Sequence, residues 1–300
     1  MYRRIAVIIN PASGQDRPVL GLLNRVFGPA GVDWDVFVTK RPGDGRRYAE
    51  QARQRDFDAV AVYGGDGTIA EVASGLVGSH LPLAIFPGGT ANVLSVELGI
   101  PGDVAEACAL VTDQMAVLRP VDMARCDGGH FILRAGIGFE AAMVEGADRD
   151  LKDRFGQLAY VFSALQALRD PPMARYTLTI DGEQVITEGV TCIVANSGSM
   201  GRIGLSLAPN ISVSDGVLDV IVIRRADLPG LLAVAASVLG GREDAEPLQR
   251  WPARTVAIEA DPPQAVTLDG EMSGTTPIRA EVIPGALKVI VPAASEQAGP

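Results

Sequence analysis

The first part of the chain repeats one order: a short apolar run, a loop of glycine or small polar residues, then helix-forming sequence. The apolar runs are Arg4 to Ile9, Asp33 to Thr39 (DWDVFVT), Asp58 to Tyr63 (DAVAVY) and Leu81 to Phe86. Helices are predicted over Leu20 to Phe27, over Arg46 to Arg55, from Thr68 onward and near Ala91. Strand and helix alternating at this spacing call for a parallel sheet with crossover helices. Such a sheet collects its ligands beyond the carboxyl ends of its strands, so the residues standing there decide what the domain binds.

Three loops stand at those ends. Asn10-Pro11-Ala12-Ser13-Gly14 follows the first run, Gly64-Gly65-Asp66-Gly67-Thr68 the third and Pro87-Gly88-Gly89-Thr90-Ala91-Asn92 the fourth, while Thr39 ends the second. Glycine lets a backbone turn tightly and bring its N–H groups close to a ligand. The helix start that follows adds free N–H groups and a positive dipole, which suits a phosphate chain. Asp66 is out of place against bare phosphate and in place if magnesium bridges the two. A plain strand-to-helix turn is the competing reading, and Thr68 with Glu71 has the spacing of a capping box. Three such loops on one sheet edge favour a nucleotide.

The pattern changes near Pro120. Short strands are predicted over Val121 to Cys126, His130 to Ala135, Arg175 to Ile180, Val190 to Ala195, Leu218 to Arg224, Thr255 to Glu259, Val266 to Leu268, Ile278 to Ile283 and Leu287 to Val291. Asp181-Gly182 and Pro284-Gly285 read as hairpin turns. Helical stretches from Phe139 to Leu168 and from Leu228 to Leu239 interrupt the strands. The expectation is an α/β domain over 1–120, a mainly antiparallel β-domain over 121–292, and a tail over 293–300.

A formal net charge of -10 argues against a nucleic-acid partner, which would need a basic stripe to displace counterions. The longest apolar run, Leu228 to Gly241, contains Pro229 and Gly230 and falls short of the ~20 residues of a membrane span. The amino terminus has no apolar signal core, and Cys108, Cys126 and Cys192 are too scattered for a disulfide framework. Together these point to a cytoplasmic protein without a transmembrane segment, either soluble or peripheral to a membrane.

A nucleotide site leaves open what is done with the phosphate; were a phosphoryl group passed to an alcohol, the reaction would need positioning, charge neutralisation and a group to take the hydroxyl proton. His80 and His130 lie outside the phosphate loops, which leaves a carboxylate as the base. Leu268-Asp269-Gly270-Glu271 offers two. Asp-Gly is an ordinary turn pair, whereas Glu271 has no comparable turn role.

The motifs NPASG, GGDGT-x-x-E, PGGTANVLS-x-ELGIP and LDGE, in this order, resemble those of the diacylglycerol kinase catalytic-domain family, which includes bacterial lipid kinases and sphingosine kinases. The resemblance covers nearly the whole chain, although GGDG alone also occurs in NAD kinases and phosphofructokinases. It implies an α/β domain followed by a β-sandwich domain, ATP and Mg2+ as cofactors, and a lipid as phosphoryl acceptor. Asn10, Pro11, Ala12, Ser13, Gly14, Thr39, Gly65, Asp66, Gly67, Thr68, Ile69, Ala70, Glu71 and Thr90 would line the ATP site. Glu271 would be the proton acceptor, with Asp122 holding or polarising it. Asp215-Gly216-Val217-Leu218-Asp219-Val220 is similar to a segment that holds a structural magnesium, which would make the Asp215 carboxylate and the Leu218 and Val220 carbonyls ligands; a turn before a strand is the other reading. The chain departs from the family pattern at Glu140 and over Ser199 to Gly204, which leaves the lipid undefined. The stretches Phe155 to Leu168 and Leu228 to Leu239 suit either core helices or the flanks of a lipid groove. Arg202, Arg224, Arg225 and Arg242 suit either a membrane-facing rim or scattered surface charge. A kinase for a soluble acceptor, as in NAD kinase, and a non-catalytic nucleotide or lipid sensor remain the alternatives. The first is weakened because the chain has no Asn-Glu pair of the kind that holds the second ribose there, and the second because Asp66 and Glu271 are both present.

Overall fold

The computed structural model describes residues 2–13, 18–138, 173–202, 205–224 and 248–293. Gly14, Glu140, Arg225, Arg242 and both predicted helices of the second half lie outside these residues. The chain divides into two compact units: residues up to Val121 together with the chain from Ala286 onward, and Asp122–Gly285.

In order, the first unit comprises β1 (Arg4–Ile9), α1 (Val19–Ala30), β2 (Asp33–Val38), α2 (Asp44–Ala52), β3 (Ala59–Gly64), α3 (Asp66–Leu76), β4 (Leu83–Pro87), α4 (Val93–Glu97) and α5 (Val104–Ala109). The strand β5 (Val117–Cys126) then leads into the second unit. There follow β6 (Gly129–Phe131), β7 (Arg134–Gly138), β8 (Ala174–Ile180), β9 (Glu183–Gly189), β10 (Thr191–Ala195), β11 (Ser199–Arg202), β12 (Leu205–Ser206) and β13 (Leu218–Ile223). The chain closes with β14 (Leu248–Ala253), β15 (Thr255–Asp261), β16 (Ala265–Leu268), β17 (Glu271–Thr275) and β18 (Ile278–Val291).

In the first unit the sheet order is β2-β1-β3-β4-β18, and every neighbouring pair is parallel. All six residues of β3 are buried, as expected for a central strand covered on both faces. Helices start and stop on local signals. Asp103 accepts the N–H groups of Ala105 and Glu106 to open α5, and Gly31 closes α1 in the left-handed conformation.

The second unit is a β-sandwich. One layer orders β14-β13-β10-β7-β16-β17, all antiparallel; the other contains β18, β15, β8 and β9, with β5 and β6. Ile137, Val194, Val220 and Val266 from the first layer meet Phe131, Tyr176, Leu178 and Ile258 from the second in one buried cluster. Strand periodicity sorts β13: Leu218, Val220 and Val222 point into that cluster, and Ile221 joins Ile193, Leu207 and Ile211 on the opposite face.

Several expectations change in detail. Asp181-Gly182 does form a two-residue hairpin turn between β8 and β9, both residues at positive φ. Pro284-Gly285 does not: β18 continues through it to Val291. The irregular point is stabilised because Gly285, at φ 56°, donates its N–H to the buried Asp122 carboxylate at 2.6 Å. The strand predicted over His130 to Ala135 is two strands, broken at Ile132-Leu133, whose N–H groups bond a carboxylate instead of a neighbouring strand. The helix near Ala91 is the short α4, and α5 was not anticipated although Asp103 is an N-cap residue. The three cysteines are buried and form no disulfide, and burial pushes the Cys108 thiol up to about 12. Among the described residues no helix is long and apolar enough to cross a membrane.

Candidate active site

The parallel sheet of the first unit carries its glycine loops on one edge, and hydrogen bonds knit them together. Asn10, just beyond β1, donates from Nδ2 to Thr68 Oγ1 at 2.8 Å, and its Oδ1 accepts the N–H of Ala12 at 3.0 Å. Ser13 Oγ accepts the N–H of Gly65 at 3.2 Å. Gly88 donates its N–H to the Gly64 carbonyl at 2.9 Å, which joins the loops after β3 and β4. Thr39 lies beside them because its N–H bonds the Ile9 carbonyl at 2.9 Å, and its buried hydroxyl donates to the same oxygen at 3.4 Å.

Helix α3 begins at Asp66 with Gly65 as its N-cap, and its first internal bond runs from Ile69 N–H to Gly65 O at 3.0 Å. The N–H groups ahead of Ile69 have no acceptor within the helix, and the positive end of its dipole lies in this loop. Asp66 stands in that first turn and is half-buried. The donor set suits the implied groups: backbone N–H for phosphate, and one carboxylate for a magnesium ion that takes its remaining ligands from phosphate and water. Ile69 is fully buried, so it acts by anchoring the helix. Thr90 is exposed in the β4 loop. Asn92, named in the sequence as a loop residue but not among those lining the site, shapes that loop: Oδ1 accepts the Gly89 N–H at 2.9 Å and Nδ2 donates to the Gly89 carbonyl at 2.8 Å. Its signal was present, since Asn tolerates the φ of 46° found at this helix start.

The capping-box reading of Thr68 and Glu71 is overturned. Thr68 is the third residue of α3 and not its N-cap, and the Glu71 carboxylate accepts the N–H groups of Gly43 at 2.7 Å and Gly45 at 2.9 Å.

In the second unit, Asp269-Gly270 forms the tight turn between β16 and β17, with φ of 46° and 85°. Asp269 is also more than a turn residue. Its Oδ2 accepts the Ile132 N–H at 2.8 Å, and its Oδ1 accepts those of Leu133 at 2.8 Å and Arg134 at 3.0 Å. Burial outweighs these bonds and pushes its carboxyl up to about 6. Asp269 is committed to the backbone, and Glu271 is exposed at the first position of β17.

Asp122 is buried, and both oxygens are engaged: Oδ2 by Gly216 N–H at 2.7 Å and Oδ1 by Gly285 N–H at 2.6 Å. Its carbonyl accepts from Asn196 Nδ2 at 2.9 Å, and the same amide reaches the Ile132 carbonyl at 2.7 Å. Asp122 therefore pins the 216 and 285 segments. Asn196 ties Asp122 to the backbone that Asp269 holds. Asp215 is exposed, and its Oδ1 accepts the Val217 N–H at 3.0 Å, closing a turn before β13. Leu218 opens β13 opposite Ala253, and Val220 lies mid-strand between Val194 and Trp251. Asp219, next to them, is buried and paired to Arg250 Nε at 2.7 Å, with burial raising its carboxyl above the usual range.

Residues 4–126 match the diacylglycerol kinase catalytic domain, and residues 134–291 match the YegS C-terminal NAD kinase beta sandwich-like domain. A Synechocystis protein described as uncharacterized is 34% identical over 248 residues, covering 81% of this chain; the match spans only 57% of that relative's length. The diacylglycerol kinase of Bacillus subtilis is 30% identical over 281 residues, covering 92% of each chain. A solved structure of a diacylglycerol kinase from Bacillus anthracis superposes with a TM-score of 0.80 at 29% identity, covering 97% of each chain. With both domains matched and a full-length relative at this identity, the chain belongs to the diacylglycerol kinase family of YegS-type proteins.

Proposed function

We propose that the protein is a magnesium-dependent kinase that transfers the terminal phosphoryl group of ATP to a lipid hydroxyl. The observation that carries this reading is the knitting together of the Asn10–Ser13, Gly64–Thr68 and Gly88–Asn92 loops at the carboxyl ends of β1, β3 and β4. The first unit binds the nucleotide. Backbone N–H groups of the first turn of α3 hold its phosphates, with Asn10 and Ser13 fixing the loops. Asp66 holds magnesium, which when bound neutralises phosphate charge. The second unit binds the acceptor. Glu271 accepts the proton of the attacking hydroxyl, and Asp269 orients the β16–β17 turn that carries it. Asp122 is a positioning residue, because its oxygens hold the backbone at Gly216 and Gly285. Asp215 with the Leu218 carbonyl is the place for a structural cation. The name of the Bacillus subtilis relative supports a diacylglycerol-like acceptor, and the enzyme meets it peripherally at the cytoplasmic face of a membrane.

The test is incubation of the protein with ATP, magnesium and a total membrane lipid extract, read by mass spectrometry of phosphorylated lipids. A magnesium-dependent phospholipid product that disappears in Glu271→Gln is expected. ATP turnover on a soluble acceptor alone, or nucleotide binding without turnover, would replace the lipid reading.

A further inference from the structure

Glu71 was expected among the contacts of the nucleotide itself, yet both of its oxygens are engaged by the loop between β2 and α2. Oε1 accepts the Gly43 N–H at 2.7 Å and Oε2 that of Gly45 at 2.9 Å. These glycines flank Asp44 at the start of α2 and close a loop that begins at Thr39. Asp44 ties the same loop from within: its Oδ2 accepts the N–H groups of Lys40 at 2.9 Å and Arg41 at 3.3 Å, and Arg47 donates to its Oδ1 at 2.7 Å. The backbone bond to Lys40 and the Arg47 guanidinium hold the Asp44 carboxyl below the usual range, so the clasp is ionised at neutral pH. The seat of Glu71 is tight. A Cβ on Gly45 would lie 2.8 Å from Oε2, and Gly43 has a φ of 84°. Helix α3 thus carries Asp66 and Thr68 in its first turn and, one turn later, the carboxylate that grips the 39–45 loop.

We propose that Glu71 is a positioning residue that locks the 39–45 loop to α3, so that this loop and the phosphate loop present one preformed surface to the nucleotide. The inference rests on the nucleotide reading above. A loop already ordered loses little freedom when a ligand arrives, whereas an untethered one must be ordered at the expense of affinity. Removing the clamp therefore weakens nucleotide binding, and the loss appears in KM for ATP and not in the chemical step.

The experiment compares wild type, Glu71→Gln, Glu71→Ala and Gly45→Ala by equilibrium binding of a fluorescent ATP analogue with magnesium, by hydrogen–deuterium exchange over 39–47, and by steady-state kinetics. Each variant is expected to raise the dissociation constant about tenfold, the size of one lost charge-assisted hydrogen bond. Exchange should quicken over 39–47 and stay unchanged in β1 and β3. Gly45→Ala keeps the carboxylate but displaces it, so it should reproduce the effect. Wild type that binds no ATP analogue would sink the nucleotide reading, while exchange would still report on the clamp. Unchanged affinity in the Glu71 variants overturns the proposal. So does weakened affinity with unchanged exchange over 39–47, which would make Glu71 a direct nucleotide ligand. If Glu71→Ala loses protection throughout the unit, the gentler Glu71→Gln and Gly45→Ala decide.

Discussion

Gly89 and Gly65 meet backbone to backbone: a Cβ placed on Gly89 would lie 2.7 Å from the Gly65 Cα. The tightest contact is backbone, which cannot swing aside as a side-chain end can, so any larger residue must separate the loops that follow β3 and β4. Gly89→Ala is expected to destabilise the first unit by about 1–3 kcal/mol, as overpacking does. It should also weaken ATP binding by more than this stability loss explains. Denaturant melts and nucleotide titration on the same sample check both effects.

Asp66→Ala is expected to leave the fold intact and abolish magnesium-dependent turnover, because the helix start keeps its N–H groups and loses its only acidic side chain. Circular dichroism alongside a coupled ATPase assay tests this. A folded variant with most of its activity would move the metal elsewhere.

Glu271→Gln preserves size and hydrogen bonding and removes the proton acceptor. Turnover should fall by ~10²–10⁴-fold with ATP affinity little changed. Single-turnover quench should place the loss in the chemical step. Normal turnover would pass the role to another carboxylate.

Asp269→Asn should fold but lose stability, since its amide turns a donor toward one of the N–H groups of Ile132, Leu133 and Arg134. An unsatisfied buried donor costs about 1–3 kcal/mol. The pH dependence has a definite sign. The Asp269 carboxyl is raised in the folded protein to about 6, so its contribution is fully present below the ordinary aspartate pKa and is lost as pH rises through about 6. The stability gap between wild type and Asp269→Asn should therefore be widest in acid and narrow toward neutrality. A gap that widens with pH would mean that the backbone bonds outweigh burial.

Much of this was legible in the sequence for a local reason. Strands β1 to β4 and the glycine loops are specified by adjacent residues, since an apolar run, a glycine turn and a helix start need no distant partner. Apart from α5 and Asn92, whose signals were local, what escaped depends on contacts far apart in the chain. Glu71 has the spacing of a cap, and only the fold brings Gly43 and Gly45 within its reach. Asp269 reads as half of an Asp-Gly turn, and its bonds to residues 132–134 span more than a hundred positions. Pro284-Gly285 has the composition of a turn, and the Asp122 carboxylate keeps it inside a strand.

Strand β18 has a consequence for inheritance. Its residues from Ala286 onward belong to the first unit, where Val289 pairs with Leu83 of β4. A gene fragment that stops after codon 121 encodes an unfinished sheet, with the edge of β4 bare. A fragment beginning at codon 122 carries the missing strand as an orphan. The two halves cannot be traded between genes like beads on a string; recombination that respects this fold must move both ends of the reading frame together.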